Sequence, residues 1–348
     1  METTLQKVRG FFLSHSLLAR HGVRLVKAGR HTMFAFILRR LFSMLVVLFC
    51  VVTFTFFAMR LAPGGPFSRE RKLPKEIEQQ LMREFNLDGT RGEQYLTYLG
   101  LRKNPKGEYS GLLQGNLQSS TKYRDRRVQD LIAQALPVSA LLGGTALLLA
   151  TTVGVWLGCV AAARRHTWVD VVAMLGALIF LSLPTFVVGP LLVLVFGLYL
   201  RWLPVGGWGS PACLILPAIT LAGPYIAYVA RLMRSSMLEV LGQDFLRTAR
   251  AKGVSEGRAL YQHALKVAIL PVVSFVGPLT ANLLTGSVVV EAIYNIPGMG
   301  GFFVNSILTR DVFLLGGVVI VYCALLVTMN LLVDLAYSLL DPRIRLYA

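Results

Sequence analysis

Six long apolar stretches dominate this chain of 348 residues. Each is long enough to cross the roughly 30 Å hydrocarbon core of a bilayer as a helix. None of them contains Asp, Glu, Lys or Arg. We therefore predict an all-α integral membrane protein with about six transmembrane helices, over Leu41–Met59, Val138–Ala163, Val171–Leu200, Leu214–Ala230, Ala268–Val290 and Val312–Val333.

The third stretch is long for a single span. Pro184 lies near its middle, and proline kinks or breaks a helix because it lacks a backbone N–H and clashes with the preceding turn. Two helices joined by a re-entrant turn are therefore the alternative to one kinked helix.

The distribution of basic residues indicates the orientation. The segments before helix one, between helices two and three, between four and five, and after six hold 19 of the 35 Lys and Arg residues. The two short loops on the other side hold only Arg201 and Arg310. Because cytoplasmic loops carry the excess of positive charge, both termini are predicted to be cytoplasmic. The long first external loop holds 14 more basic residues, but long loops translocate largely regardless of their charge.

The net charge of +17 would suggest nucleic-acid binding if the protein were soluble. Here 55% of the residues are hydrophobic and the mean hydropathy is +0.60. No nucleic-acid-binding motif accompanies the charge, so we predict contact with a lipid bilayer and no nucleic acid. The four cysteines are scattered and form no CxxC pair, which argues against a disulfide framework or a zinc site.

The first external loop, roughly Arg60–Pro137, is predicted to be a small subdomain. Within it, Ile77, Leu81 and Phe85 recur four residues apart, as on one face of a helix. This face either packs on the membrane domain or docks a soluble partner outside the membrane.

The sequence contains no recognisable catalytic site. It has no Gly-Lys dipeptide and therefore no GxxxxGK[ST] phosphate-binding loop. It also lacks HExxH and GxSxG motifs, and its five histidines are dispersed. The ionisable residues nearest to the membrane interior, Glu291 and Asp334, fall at predicted helix ends, whereas ion coupling usually uses a group inside the membrane. We therefore predict no catalytic or metal-binding residues, and expect another component to supply any energy that the protein uses.

The segment between predicted helices four and five carries the clearest functional signal. Within Gln243–Ser255 the residues favour a short cytoplasmic helix that ends at Gly253, a glycine that suits its C-cap. Three small side chains would let another surface approach this helix closely: Thr248, Ala249 and Ala251. Three basic side chains supply charge for water or an acidic partner: Arg247, Arg250 and Lys252. A basic loop required only by topology is the alternative.

This segment resembles the EAA-type coupling motif in the permeases of ATP-binding-cassette importers. The form Arg-Thr-Ala-Arg-Ala-Lys-Gly, over residues 247–253, is typical of the peptide permeases in that family. Arg247-Thr248-Ala249 stands where the usual motif has Glu-Ala-Ala, and Gly253 stands where the motif has its glycine. Leu265-Lys266 replaces the Leu-Pro of many members, a departure that also occurs in the peptide-permease branch.

Further stretches along residues 33–348 resemble the same family in one order and with compatible spacing. They are Phe36–Leu41, Arg60–Pro66, Pro137–Ser139, Thr285–Ser287, Glu291, Ile296–Gly300 and Asp341–Arg343. The resemblance is to the oligopeptide/dipeptide permease family, and within it to the first (B-type) of the two paired membrane subunits.

The resemblance implies a type I importer permease with a larger first periplasmic loop, in the bacterial inner membrane. A second homologous permease subunit would complete the pathway, and an extracytoplasmic peptide-binding protein would deliver the peptide substrate. Two P-loop ATPase subunits would use ATP and Mg, while this chain would bind no cofactor. The motif residues would dock on an ATPase subunit: Phe245, Arg247, Thr248, Ala249, Ala251, Lys252 and Gly253.

On this interpretation the chain divides into five parts. They are a cytoplasmic extension over 1–32, a first transmembrane helix over 33–60, a periplasmic loop subdomain over 61–137, a core transmembrane domain over 138–340 that includes the cytoplasmic coupling segment 237–267, and a cytoplasmic tail over 341–348. For the extension, an interfacial amphipathic helix is the alternative.

Five polar residues are candidates for lining the pathway: Ser182, Thr185, Asn282, Thr285 and Ser287. Peptides share a backbone but differ in side chain, so we expect a large, weakly selective and partly polar cavity. Hydrogen bonding between helices is the alternative role of each residue. Alternative functions are a permease for dipeptides, nickel chelates or another small solute, a proton-coupled secondary carrier, and a structural subunit without transport.

Overall fold

The computed structural model describes residues 38–61, 74–85, 87–104, 107–123, 125–284 and 287–340. Over these residues the chain is helical and forms no β-strand. In chain order the helices are α1 Leu38–Leu61, α2 Lys75–Glu84, α3 Arg91–Leu99, α4 Val128–Ala163, α5 Trp168–Ser182, α6 Thr185–Leu192, α7 Ala212–Leu241, α8 Asp244–Ala251, α9 Glu256–Arg258, α10 Leu265–Ala268, α11 Leu270–Leu284, α12 Val288–Ile293, α13 Met299–Thr309 and α14 Val312–Leu340. A 3₁₀ turn covers Leu112–Gln114, and π-helical turns cover Val193–Tyr199 and Ala259–Ala264.

Among the described residues, four helices are each long and apolar enough to cross a membrane: α1, α4, α7 and α14. Two bent pairs bring the number to six if each pair is counted as one span. One pair is α5 with α6 and the π turn after it, and the other joins the α9–α10 segment to α11. The prediction of an all-α protein with about six apolar spans is confirmed.

The third predicted stretch is broken at Pro184. The helical segments on its two sides meet at 109°. Leu183 has an extended backbone with φ −89° and ψ 125°, the conformation that a following proline favours. The structure therefore has two helices joined by a turn, which was the alternative considered from the sequence.

Several helices extend beyond their predicted ends. α4 begins at Val128 and not at Val138, so Pro137 lies inside the helix and α4 reaches into the segment assigned to the loop subdomain. α7 continues past Ala230 to Leu241, and α1 and α14 are also longer than predicted. The cause is the same in each case: hydropathy falls where a helix leaves the bilayer, but the backbone hydrogen bonding continues.

The fifth predicted helix is interrupted at Ser287, whose backbone is extended. The next helix, α12, begins at Val288, and the Ser287 hydroxyl caps it by accepting the Val290 N–H at 3.3 Å. Residues 285 and 286, which follow α11, lie outside the described chain. Soon after, helix α13 begins at Met299.

Three buried apolar clusters follow one another along α4. The first includes Val128 and the third includes Cys159, while the second lies between them around Leu142. The first cluster joins α4 to α1, α3 and α14, and the third joins it to α7 and α8. We therefore call the two ends of the bundle the α3 end and the α8 end.

The packing of α4 on α7 depends on small residues. A Cβ atom at Gly154 would lie 2.7 Å from the Val229 Cβ, and one at Gly158 would lie 2.5 Å from the Ala230 carbonyl oxygen. These two glycines therefore let the helices approach backbone to backbone, as is common in membrane bundles.

The predicted helix in the external loop is α2, and its apolar face packs at one end only. The Phe85 ring, just after α2, stacks on Phe313 of α14 at a centroid distance of 6.1 Å, whereas Ile77 stays 46% exposed. The loop is fixed further by Asp311, which accepts hydrogen bonds from the Ser120 hydroxyl and, at 3.2 Å, from the Lys122 N–H.

Helix α3 was not predicted, although a local signal for it exists. Thr90 and Glu93 form a capping box at its N-terminus, the arrangement expected of Thr-x-x-Glu. Hydrogen bonds from Arg102 and from Thr90 lower the pKa of the Glu93 carboxyl. The predicted extension over 1–32, the tail over 341–348 and Thr285 lie outside the described residues.

Candidate functional site

Helix α8 is held to the bundle by one apolar side chain. Leu246 is 0% exposed and belongs to the third cluster with Met233, Met237 and Val240 of α7. Apart from Phe245, which is exposed, the rest of this eight-residue helix is polar or small, so Leu246 fixes which face is turned inward. Its burial therefore positions the opposite face outward.

The end of α8 is a Schellman turn centred on Gly253. This glycine has φ +84°, a left-handed conformation that side chains with a Cβ disfavour. The Gly253 N–H donates to the Arg250 carbonyl at 2.9 Å, and the Val254 N–H donates to the Ala249 carbonyl at 3.2 Å. These are the two hydrogen bonds that define the motif, and they satisfy carbonyls that the helix end would otherwise leave open.

The exposed face of α8 carries most of the predicted coupling residues. Six of the seven are exposed: Phe245, Arg247, Thr248, Ala251, Lys252 and Gly253. Ala249 is partly buried beside the anchoring face. The surface combines an aromatic ring that is 42% exposed with small side chains and positive charge, a composition that suits protein contact.

Arg250 was expected to supply charge for water or an acidic partner, but in the structure it pairs with Glu256 of the same chain. Its Nε lies 3.0 Å from Glu256 Oε1, and its Nη2 donates to Glu256 Oε2 at 3.1 Å. This ion pair and its one hydrogen bond tie the end of α8 to α9, so Arg250 closes the turn and does not belong to the exposed basic set.

A cavity of about 340 Å³ lies in the middle of the bundle. It is lined by residues from α6, α7, α11 and the start of α12: Thr185, Leu221, Pro224, Tyr225, Asn282, Leu283 and Ser287. Its lining contains two hydroxyls, a phenol and an amide but no charged side chain. Such a surface can hydrogen-bond an amide backbone without preferring either sign of charge.

Three of the five predicted pathway residues meet at this cavity. Thr185 is the first residue of α6, Asn282 lies in the last turn of α11, and Ser287 caps α12. The cavity thus lies where two spans are broken. Ser182 ends α5 with an exposed side chain and is not among the lining residues.

A family model described as "Binding-protein-dependent transport system inner membrane component" matches residues 154–346, more than half of the chain. The chain belongs to this family. The matched range includes α8 and all the residues of the cavity lining. The family resemblance inferred from the motif over residues 247–253 is confirmed.

Relatives of this inner membrane component match along its length. The oligopeptide transport system permease proteins of Haemophilus influenzae and Salmonella typhimurium are 42% and 44% identical over 315 residues, which are 90% of this chain and 100% of each relative. A dipeptide transport system permease protein of Bacillus subtilis is 39% identical over 312 residues, 90% of this chain and 98% of that protein. One chain of a solved amino acid ABC transporter aligns at 19% identity with a TM-score of 0.46, covering 62% of this chain and 95% of the other, a likeness too weak to carry a conclusion.

The buried carboxylate of this permease family member was underestimated from sequence. Glu291 is 1% exposed, and its two oxygens accept from the Ser139 hydroxyl and the Gly300 N–H, each at 2.7 Å. The Ser139 oxygen in turn accepts the Met299 N–H at 2.9 Å. Glu291 therefore caps α13 and links it to α4.

Two other polar groups of the bundle were missed for clear reasons. Tyr225 lines the cavity, but a tyrosine in an apolar stretch has no distinguishing sequence signal. Asp170 lies one residue before the predicted third span and was therefore treated as loop. Among the described residues, no group of three His, Cys, Asp or Glu side chains is arranged to hold a metal ion.

Proposed function

We propose that this chain is the permease subunit of an ATP-driven importer that moves oligopeptides across the bacterial inner membrane. Two relatives named as oligopeptide permeases match it over their whole length. A membrane-spanning transport component is what its family membership and apolar helices establish. Oligopeptides as the substrate and ATP as the energy source are the further steps of this proposal.

The observation that carries the proposal is the exposed face of α8. Leu246 and the Gly253 turn hold this short helix rigidly, while Phe245, Arg247 and Lys252 remain exposed. A rigid, exposed and partly basic helix at one end of a transport bundle suits docking on a separate motor subunit. Movement of packed helices as rigid bodies would then switch the cavity between two sides of the membrane.

The ATPase activity is assigned to partners. The sequence has no phosphate-binding loop, so two P-loop ATPase subunits would use ATP and Mg, and this chain would bind no cofactor. Under the positive-inside rule, the basic segments support a cytoplasmic location for both termini and for the α8 end. The α3 end then faces the periplasm and the extracytoplasmic peptide-binding protein.

The transport pathway is proposed to include the central cavity and a second homologous permease subunit. A volume of about 340 Å³ is small for an oligopeptide, so this cavity would form one wall of a larger pathway. Thr185, Asn282 and Ser287 would contact the peptide backbone. Ser182 and Thr285 remain candidates for the same wall.

Dipeptide import is the second candidate function. It is favoured by the Bacillus subtilis relative, named as a dipeptide permease, at 39% identity. The two functions differ only in substrate length and use the same α8 surface and cavity.

Purification of the tagged chain from membranes in mild detergent would test the proposal. We expect a second permease and P-loop ATPases to copurify, and import of tri- to pentapeptides by the reconstituted complex to require ATP. A complex that imports only dipeptides would favour the second candidate. Import that stops with the proton gradient and not with ATP depletion would contradict the ATP-driven mechanism.

A further inference from the structure

An ion pair joins α5 to α7 near the α8 end. Arg234 of α7 donates from Nε to Asp170 Oδ1 at 2.6 Å and from Nη2 to Asp170 Oδ2 at 2.7 Å. The His166 N–H donates to the same carboxylate at 3.3 Å. Because both oxygens are engaged by a planar guanidinium, the pair fixes the relative rotation of the two helices as well as their distance.

The rest of α5 packs against α7 and α4 without a further buried polar side chain. Only Asp170 and Ala177 of this helix are buried, and much of its apolar surface faces outward. One further close contact is made by Phe180, whose ring lies over Gly223 of α7. The ion pair is therefore the main polar attachment of α5 among the described residues.

The two partners lie on a continuous route between the two parts of the site. Arg234 is next to Met233, and Met233 shares the third buried cluster with Leu246 of α8. Asp170 lies in the first turn of α5, which runs without interruption to Ser182 and meets Thr185 of the cavity across the break at Pro184. The α7 residues of the lining would move with α7 itself, whereas a displacement of α8 and α7 would reach the α6 side of the cavity through this pair.

We propose that Asp170 and Arg234 form a positioning pair that makes the broken α5–α6 segment follow the movement of α8 and α7, so that ATP-driven motion reaches the α6 side of the cavity as well as its α7 side. This inference rests on the proposed function. An apolar contact could hold the helices together equally well, but it would let them slide or rotate. A bidentate pair resists both, which is the property that transmission of a rigid-body movement requires.

The test uses the complete complex in proteoliposomes, with peptide import and ATP hydrolysis measured together. For Asp170→Asn we expect the number of peptides imported per ATP to fall about tenfold or more, a typical magnitude of coupling between sites. ATP hydrolysis stimulated by the binding protein should stay within about twofold of the unmodified complex. The exchanged pair Asp170→Arg with Arg234→Asp should recover part of the coupling. Arg234→Lys alone keeps the positive charge but loses the planar guanidinium, and it should lower the ratio of peptide to ATP as Asp170→Asn does.

Asp130→Asn is the matched control, because it makes the same chemical change on an exposed carboxylate in the first turn of α4. We expect it to leave the ratio of peptide to ATP unchanged. A parallel fall of import and hydrolysis in Asp170→Asn would mean that the pair only stabilises the fold, and an unchanged ratio would mean that it transmits nothing. Either result overturns the inference.

A second readout does not depend on the identity of the substrate. The substitution Thr185→Cys is made in a chain whose four native cysteines are replaced by alanine. The introduced thiol should react with a thiol reagent at different rates in the ATP-bound and nucleotide-free complex. Asp170→Asn should abolish this difference. If the difference in reaction rate persists in Asp170→Asn, the inference fails even where peptide import is normal. If the unmodified complex imports no peptide, the proposed function fails, but the thiol measurement still decides the role of the pair.

Discussion

The left-handed turn at Gly253 permits a sharp test of the α8 surface. Replacement by alanine adds a Cβ that meets no atom within 4 Å, so the mutation creates no steric clash inside the chain. It nevertheless forces a side-chain-bearing residue to adopt φ +84°. Left-handed backbone costs such a residue roughly 1–2 kcal/mol.

The free variant can relieve this strain by leaving the left-handed conformation, so if docking requires the turn at residue 253 as it stands, the cost appears in the binding free energy. A penalty of 1–2 kcal/mol corresponds to about 5- to 30-fold weaker binding. We therefore expect Gly253→Ala to weaken the binding of purified ATPase subunits to the permease in nanodiscs by about that factor. Insertion of the chain into the membrane should not change, and a bulky residue at this position should reduce both ATPase binding and transport further.

Two substitutions serve as controls for this prediction. Gly257 is also exposed with open space around its Cβ position, but its φ is not positive, so Gly257→Ala should bind ATPase normally. Gly253→Asn should lose less affinity than Gly253→Ala, because asparagine tolerates the left-handed region. Equal affinity of Gly253→Ala and the unmodified chain, or an equal loss in Gly257→Ala, would refute the role assigned to the turn.

Four further substitutions test the remaining parts of the site. Leu246→Ala should destabilise the chain by about 2–5 kcal/mol, as for other buried leucines, and should lower the midpoint of thermal unfolding. Phe245→Ala should weaken ATPase binding and leave that midpoint unchanged. The opposite pattern would reverse the roles of the two residues. Glu291→Ala removes the acceptor of the buried Gly300 N–H, at a cost of about 1–3 kcal/mol, so an unchanged unfolding midpoint would contradict its capping role. Asn282→Asp puts a negative charge into an uncharged lining and should reduce import of acidic peptides relative to basic peptides of equal length, while an equal loss for both would show that charge in the cavity does not matter.

Features encoded over a few consecutive residues could be predicted from the sequence. The apolar spans follow from hydropathy alone, because the bilayer demands about twenty apolar residues in a row. Helix α8 and its terminal glycine follow from local helix propensity and capping. Pro184 marked the position of the break in the third span, although the sequence left open whether the helix would bend or stop.

Features that depend on distant parts of the chain could not be predicted. The cavity combines Thr185, Tyr225 and Asn282, which only the packing of three helices brings together. Asp170 was excluded from its span because it is charged, and the partner that satisfies its charge lies 64 residues away. The first ten residues of α4 carry too many polar side chains to register as part of an apolar span.

The length of α4 restricts how this chain can vary. Its 36 residues correspond to about 54 Å of helix, along which all three buried clusters are attached. Inserting or deleting one residue near Leu142 would turn everything beyond it by about 100°. Gly154 and Gly158 would then face away from α7, and the first and third clusters could no longer form together. Insertions between the helices carry no such penalty, so length changes among functional homologues should be confined to the connecting loops and be absent from α4.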